Sequence, residues 1–344
     1  MPPLPAREPG PARRSAARFK RALTRLARQI HVDVGGDVAD TVLLAGGGRG
    51  GTTWVAEILN HANDYRFIFE PFYAERVPLC RSFRNRQYIR EDDAASPLRD
   101  AAARVLSGRF RSGWADFYNR KLVAHKRLIK EIRANLFLKW IRQQFPAVRI
   151  VLLLRHPCAV AASRMFYGWG HQLEEFLDQP QLMTDFLEPF RALLTNERDE
   201  FARHVVRWCV ETFVPLRQFA GADVHVALYE DFQVTPHDEV SRLFAYLGKP
   251  MTESVMERLG TPSRTAWEQL ATPKTSHEPP NGWKRHVSPE RERRALEILQ
   301  LFGLDAIYSG DPMPNSAAAR AMTGVHGPEA SSKSRSVPEL GRKA

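Results

Sequence analysis

The sequence predicts an α/β sandwich around a central parallel sheet, and three observations carry that prediction. Short apolar runs alternate with helix-spaced segments from Thr41 to Phe302. One run, Val148–Leu154, is apolar apart from Arg149, the mark of a strand buried on both faces. A glycine-rich turn, Gly46 to Gly51, joins the first such strand to the first such helix.

The elements follow in order. The first dozen residues are rich in Pro, Ala and Arg and read as disordered. Over Ser15–Ile30 the spacing of Phe19, Leu23, Leu26 and Ile30 predicts an amphipathic helix with Arg and Lys on its other faces. Such a helix either docks on the domain or lies on a membrane surface as a peripheral contact. Thr41–Ala45 is a strand entering the glycines, and Thr52–His61 has helical spacing. Arg66–Phe69 and Arg127–Ile132 read as the second and third strands. Asn135–Phe145 is a helix ended by Pro146, and Pro157 can open the next helix at its first position. A long helix is expected at Arg198–Phe219, a strand at Val224–Tyr229, and helices at Asp238–Leu247 and Pro289–Phe302. After Pro312 the chain turns to Ala, Ser, Gly and Pro and reads as disordered. The expected division is a basic arm at 1–40, one domain at 41–311 and a tail at 312–344.

Composition narrows the function classes. The net charge is +11, with +7 in the first 30 residues and +3 in residues 312–344, which leaves +1 for residues 31–311. A nearly neutral body argues against a broad nucleic-acid face. Three scattered cysteines, Cys80, Cys158 and Cys209, form neither a disulfide framework nor a zinc pattern and fit a reducing compartment. No run of 18 apolar residues occurs, and the N-terminus lacks the apolar stretch of a secretory signal. A cytoplasmic protein is therefore expected, membrane-peripheral if Ser15–Ile30 meets a bilayer.

The turn Gly46-Gly47-Gly48-Arg49-Gly50-Gly51-Thr52-Thr53-Trp54 stands where backbone N–H groups and a helix dipole cradle phosphate. Gly46 and Gly51 match the glycines of the triphosphate loop G-x-x-x-x-G-K-[ST], but Thr52 occupies the lysine position. Arg49 supplies the nearest cation, from inside the loop. Arg155, and no metal-binding Asp, follows the Val148–Leu154 run. These features suit a phosphate loop that is not built for a magnesium-bound triphosphate.

Arg49-Gly50-Gly51-Thr52-Thr53-Trp54 resembles the phosphosulfate-binding loop of sulfotransferases that use 3′-phosphoadenosine 5′-phosphosulfate (PAPS), typically K/R-S-G-T-T-W. Arg155-His156-Pro157-Cys158-Ala159-Val160-Ala161-Ala162-Ser163-Arg164 is similar to the 3′-phosphate motif R-D-P-x-A-V-x-x-S, with His156 for the usual Asp and Cys158 for a common Arg. Leu228-Tyr229-Glu230-Asp231-Phe232 resembles the Y-E-D-L strand end, and Asn281-Gly282-Trp283 through Ser288-Pro289 the G-W-x-x-x-L-S-P segment of bacterial members. The resemblance spans residues 41–308. It implies a P-loop-like three-layer sandwich and a metal-independent PAPS-dependent sulfotransferase. The implied acceptor is a hydroxyl of a carbohydrate or glycoconjugate.

The resemblance also implies roles. Gly48, Arg49, Gly50, Gly51, Thr52 and Thr53 would hold the phosphosulfate, Arg155 and Ser163 the 3′-phosphate, and Trp54 the adenine, with Tyr229 beside them. Arg49 would also stabilise charge on the leaving phosphate, and an arginine does that without acting as a proton donor. The K-x-H triplet of aryl sulfotransferases is matched only by Lys130-Glu131-Ile132, without its histidine. Carbohydrate-type members place a Glu in an F-E-P context, matched here by Phe69-Glu70-Pro71. Glu70 is the candidate general base, expected to have a raised pKa among apolar neighbours. Glu131 and His125 are reserves, and Lys130 would balance charge at the sulfuryl group. The aromatic stretch from Tyr167 to Glu200 could wall the acceptor site. Two other readings stay open: a small-molecule or nucleotide kinase on the same loop topology, and a non-catalytic nucleotide-binding protein.

Overall fold

The computed structural model describes residues 30–94, 96–219, 224–259 and 279–323. Five strands form one parallel sheet: β2 (Thr41–Gly46), β3 (Tyr65–Phe69), β5 (Lys126–Glu131), β6 (Arg149–Leu154) and β7 (His225–Leu228), in the order β3-β5-β2-β6-β7. Two short strands, β1 (Val32–Asp33) and β4 (Val123–Ala124), pair in parallel beside it. The principal helices are α1 (Thr52–Leu59), α2 (Ser96–Leu106), α3 (Leu138–Gln144), α4 (Pro157–Phe166), α5 (Glu200–Gln218), α6 (Tyr229–Val234), α7 (Pro236–Leu247), α8 (Pro289–Phe302) and α9 (Ser316–Met322).

Alternation along the strands divides the core into two layers. On β2, Leu43 and Ala45 face the layer of α2, α3, α4, α5 and α8, while Val42 and Leu44 face α1, α6 and α7. β6 divides the same way, with Ile150, Leu152 and Leu154 on the first side and Val151 and Leu153 on the second. A strand apolar on both faces can only sit in the middle of a sandwich, and β2 and β6 are neighbours there. The expected α/β three-layer architecture is therefore the observed one.

Three expectations differ from the structure. Helix α2 was not foreseen, although Leu98, Ala101, Ala102, Val105 and Leu106 form its buried stripe. The Val224–Tyr229 strand stops at Leu228, and Tyr229 opens α6. Of the tail expected to be disordered from residue 312, Ser316–Met322 forms α9, and residues 324–344 lie outside the described residues. Asn315 caps α9 through Ala318 N–H (3.0 Å), Ala319 is buried, and Arg320 meets Asp231 (3.3 Å) and Glu239 (3.2 Å). The expected helix at Ser15–Ile30 lies, but for Ile30, outside the described residues.

Two arginines anchor the N-terminal ends of the strands. Arg66 of β3 and Arg127 of β5 are fully buried. Arg66 pairs with Asp116 (2.9 Å) and Asp33 (3.2 Å) and donates to the carbonyls of Gly108 (2.6 Å) and Phe110 (2.7 Å). Arg127 pairs with Asp33 (2.6 Å) and donates to Thr41 Oγ1 (2.9 Å). Removing Asp116 would leave the buried Arg66 with Asp33 as its one carboxylate partner, at the longer distance of 3.2 Å. Asp116→Ala should therefore cost about 3–5 kcal/mol of stability, measured as a lowered urea midpoint, with Asp116→Asn costing less. A loss under about 1 kcal/mol would show that Asp33 and the two carbonyls suffice for Arg66.

Candidate functional site

Parallel strands point their C-terminal ends the same way, so the segments leaving β2, β3, β5, β6 and β7 meet along one edge. β2 runs into the glycine loop and α1. Gly46 must lack a side chain, because a Cβ there would stand 2.6 Å from the Leu153 carbonyl of β6. Within the loop, Gly50 N–H donates to the Gly47 carbonyl (2.9 Å). Gly51 has φ +89°, and a Cβ would stand 2.3 Å from the ring of Tyr229. Gly51 is also the N-cap of α1, and no side chain caps that helix start. The first turn of α1 thus presents its N–H groups and positive dipole end as a ready anion site.

The residues implied for nucleotide binding converge here. Arg49, at φ +73°, donates from Nε to Ser163 Oγ (3.0 Å), and its guanidinium lies 4.0 Å above the Tyr167 ring. Burial pushes the Arg49 guanidinium down from its ordinary value. Arg155 donates from Nη1 to the Arg49 carbonyl (3.3 Å) and lies 4.3 Å over the ring of Tyr229. The two phosphate motifs are therefore in direct contact, through Arg49–Ser163 and Arg155–Arg49. Trp54 does not present an open face. It is 3% exposed and packs edge-on against Tyr229 (5.3 Å) and Phe232 (6.2 Å), as a core residue behind the loop.

His156 takes the N-cap of α4. Its Nδ1 accepts from Cys158 N–H (3.3 Å), its Nε2 donates to the Ser309 carbonyl (3.1 Å), and its ring stacks on Trp283 at 4.4 Å. Burial pushes it down to about 4, so the imidazole is neutral and has the lone pair a cap needs.

On the other side of the loop, Glu70 follows β3 with φ +44° and donates its N–H to the Lys130 carbonyl (2.8 Å). Its carboxylate is held by Lys130 Nζ and by Arg133 Nη1 (2.6 Å). The expected raised pKa is not what the surroundings produce. Burial works upward, but Lys130 and Arg133 together outweigh it and hold the carboxyl below its ordinary value. Glu70 is thus ionised and tightly paired. Glu131 is fully buried and accepts from the N–H groups of Phe72 (2.9 Å), Ile132 (2.8 Å) and Arg133 (3.0 Å), which makes it a clasp for the strand ends. His125 precedes β5 and lies at the opposite edge of the sheet.

Of the aromatic stretch, Tyr167 and Trp169 reach the loop, and a Cβ on Gly48 would stand 2.6 Å from the Trp169 ring. Phe176, Phe186 and Phe190 pack into the core instead. Sequence reasoning missed Arg133, Arg164 and Glu211. Arg164 donates to the Gly48 carbonyl (3.0 Å) and pairs with Glu211 (2.8 Å). Its signal was an arginine four residues after Val160 on the apolar face of α4. Among the described residues no group of His, Cys, Asp and Glu is placed to hold a metal ion.

Glu230, next to Tyr229, is fully buried and accepts from His156 N–H (2.8 Å) and Tyr308 OH (3.1 Å). Burial raises its carboxyl from 4.5 to about 7. The folded state therefore holds this proton more tightly than the unfolded chain. The resulting stability is present below pH 4.5 and is lost as pH rises toward 7, by up to about 3 kcal/mol. Glu230→Gln should flatten this part of the profile, narrowing the difference in urea midpoints between pH 5 and pH 8. An unchanged difference would show that Glu230 does not carry it.

The sequence profile of the sulfotransferase domain matches residues 39–298. A search of curated proteins returns no match. Among solved structures the chain is similar to mouse sulfotransferase SULT7A1 complexed with PAP (adenosine 3′,5′-bisphosphate), at 13% identity, TM-score 0.38, covering 88% of this chain and 93% of that one. It is also similar to retinol dehydratase in complex with androsterone and inactive cofactor PAP, at 17% identity, TM-score 0.39, covering 81% and 85%. A third similar structure is sulfotransferase STF9 from Mycobacterium avium, at 11% identity, TM-score 0.38, covering 83% and 80%. With the domain profile extending over residues 39–298, the chain belongs to the sulfotransferase family.

Proposed function

We propose that the chain transfers the sulfuryl group of PAPS to a hydroxyl of a carbohydrate or glycoconjugate acceptor. The observation that carries this reading is the junction of the two phosphate motifs. An uncapped helix start and glycine loop meet the arginine that follows β6 and a serine of α4, with threonine where a triphosphate loop has lysine. In the reaction the acceptor oxygen attacks sulfur, the bond to the bridging phosphate oxygen breaks, and PAP leaves with that electron pair. The loop N–H groups, Thr52 and Thr53 would hold the 5′-phosphosulfate, and Arg155 with Ser163 the 3′-phosphate. Arg49 would face the charge that develops on the leaving oxygen, where a fixed cation acts most strongly.

Glu70 is the proposed acceptor of the hydroxyl proton. Lys130 and Arg133 keep it in the basic form while weakening it as a base, so it would take the proton only as the oxygen commits to sulfur. Beside it Phe69, Tyr73, Trp114 and Tyr118 pack ring against ring, with Lys130 over Phe69 and Arg133 over Tyr73. Among the described residues no helix is long and apolar enough to cross a membrane. A cytoplasmic location, with residues 15–30 as a peripheral membrane contact, belongs to the same proposal; the free, buried cysteines support a reducing compartment.

Thermal unfolding with PAP, ATP or GTP, each with and without magnesium, tests the donor reading. PAP at a hundredfold excess over its dissociation constant should add about 2.7 kcal/mol, and ATP much less. Equal stabilisation by ATP would favour a kinase. The acid–base assignment is tested separately by single-turnover sulfate transfer at saturating PAPS. Glu70→Gln should slow it by roughly 10²–10⁴ while PAP affinity stays the same, and Glu131→Gln should slow it less. A Glu70→Gln rate within about threefold of the parent would leave Glu70 as an ion-pair anchor only.

A further inference from the structure

We infer that Arg164 is a positioning residue for the donor: it sets the direction of the Gly48–Arg49 peptide and so aims the Arg49 N–H into the phosphate cradle. A trans peptide is planar, and its C=O and N–H point opposite ways. Arg164 Nε–H holds the Gly48 carbonyl from beneath at 3.0 Å, so the N–H of the same peptide is turned to the far side. The neighbouring peptides have their own restraints. The Gly47 carbonyl accepts from Gly50 N–H (2.9 Å), and the Arg49 carbonyl accepts from Arg155 (3.3 Å). Without Arg164 the middle peptide of the loop would lose its holder.

Two further observations point the same way. Arg164 is fully buried, yet its Nη1 has no hydrogen-bond partner among the described residues. An unmet guanidinium N–H is costly in the interior, and packing alone does not explain why an arginine stands there. The group is held in place by Glu211 at 2.8 Å, and that carboxylate would keep two other arginines, Arg207 (2.9 Å) and Arg86 (3.3 Å), if Arg164 were removed. Arg164→Met therefore strands no charge, and the fold should survive it.

The inference rests on the proposed division of the donor between the loop and the Arg155/Ser163 pair, and the test separates the two. Calorimetry would compare PAP with adenosine 3′-monophosphate, which has no 5′-phosphate for the loop to read. Arg164→Met should weaken PAP by about tenfold to a hundredfold and leave adenosine 3′-monophosphate unchanged. Arg164→Lys, which keeps the charge beside Glu211, should fall between, and it decides the matter if the Met variant does not fold. Arg155→Ala, by contrast, should weaken both ligands. Equal losses for both ligands in the Arg164 variants, or none for either, would overturn the inference. Failure of the parent protein to bind PAP would instead overturn the donor reading, and the inference with it.

Discussion

Three guanidinium groups converge on the buried carboxylate of Glu211. Arg164 comes from α4, Arg207 from the preceding turn of α5, and Arg86 from the segment after β3. Burial alone would raise this carboxyl, but the three cations bring it down to about 2. The same crowding and burial lower Arg207 to about 9. Each arginine also holds a different piece of chain: Arg164 the Gly48 carbonyl, Arg207 the Gly170 carbonyl (2.9 Å), and Arg86 the Glu175 carboxylate. The phosphate loop and the segment carrying Tyr167 and Trp169 are thus fastened to one buried charge. Breaking such a cluster at its centre costs more than any one contact suggests, because it leaves several charges unpaired at once.

The sheet and the phosphate motifs were legible in the sequence for a physical reason. Strands buried on both faces have to be apolar, and a backbone that approaches phosphate has to be glycine. What could not be read was set by neighbours in space. Glu70 looked like a carboxylate among apolar residues, but β3 and β5 are in parallel register with Phe69 opposite Lys130. That register delivers Lys130 to the Glu70 carboxylate, and Arg133 follows three residues on. Trp54 has the sequence position of a stacking residue, but its contacts with Tyr229 and Phe232 depend on where β7 ends. Helix α9 was obscured by a tail of low-complexity composition, and only Asp231 and Glu239 explain why Arg320 binds there.

The replacement of the usual Asp by His156 illustrates how a motif keeps its geometry while changing its chemistry. A carboxylate caps a helix with a formal charge, whereas a neutral imidazole caps it with one lone pair and has an N–H left over. Here that N–H meets the Ser309 carbonyl, and the ring face meets Trp283. The substitution therefore draws two distant parts of the C-terminal chain onto the start of α4. It also removes an anion next to Arg155, which leaves that arginine's positive charge more available to a phosphate. Glu230 accepts from the N–H of the same residue (2.8 Å), and burial raises its carboxyl to about 7, so below that pH it too adds no anion beside Arg155.

Backbone strain follows the same two networks. Five non-glycine residues among those described have positive φ, and four of them are Arg49, Glu70, Arg86 and Gln172. Glycine would relieve each position, since the left-handed region costs other residues about 1–3 kcal/mol when it is forced on them. At all four, however, the side chain is engaged. Arg49 reaches Ser163, Glu70 is held by Lys130 and Arg133, Arg86 joins Glu211, and Gln172 accepts from Arg207 (2.5 Å). The left-handed turn is what throws the side chain back across the end of its own strand or segment. A glycine would keep the turn and lose the group that the turn delivers. The strain is thus concentrated where charged and polar side chains must be brought to the C-terminal edge of the sheet, and the core beneath it holds those turns in place.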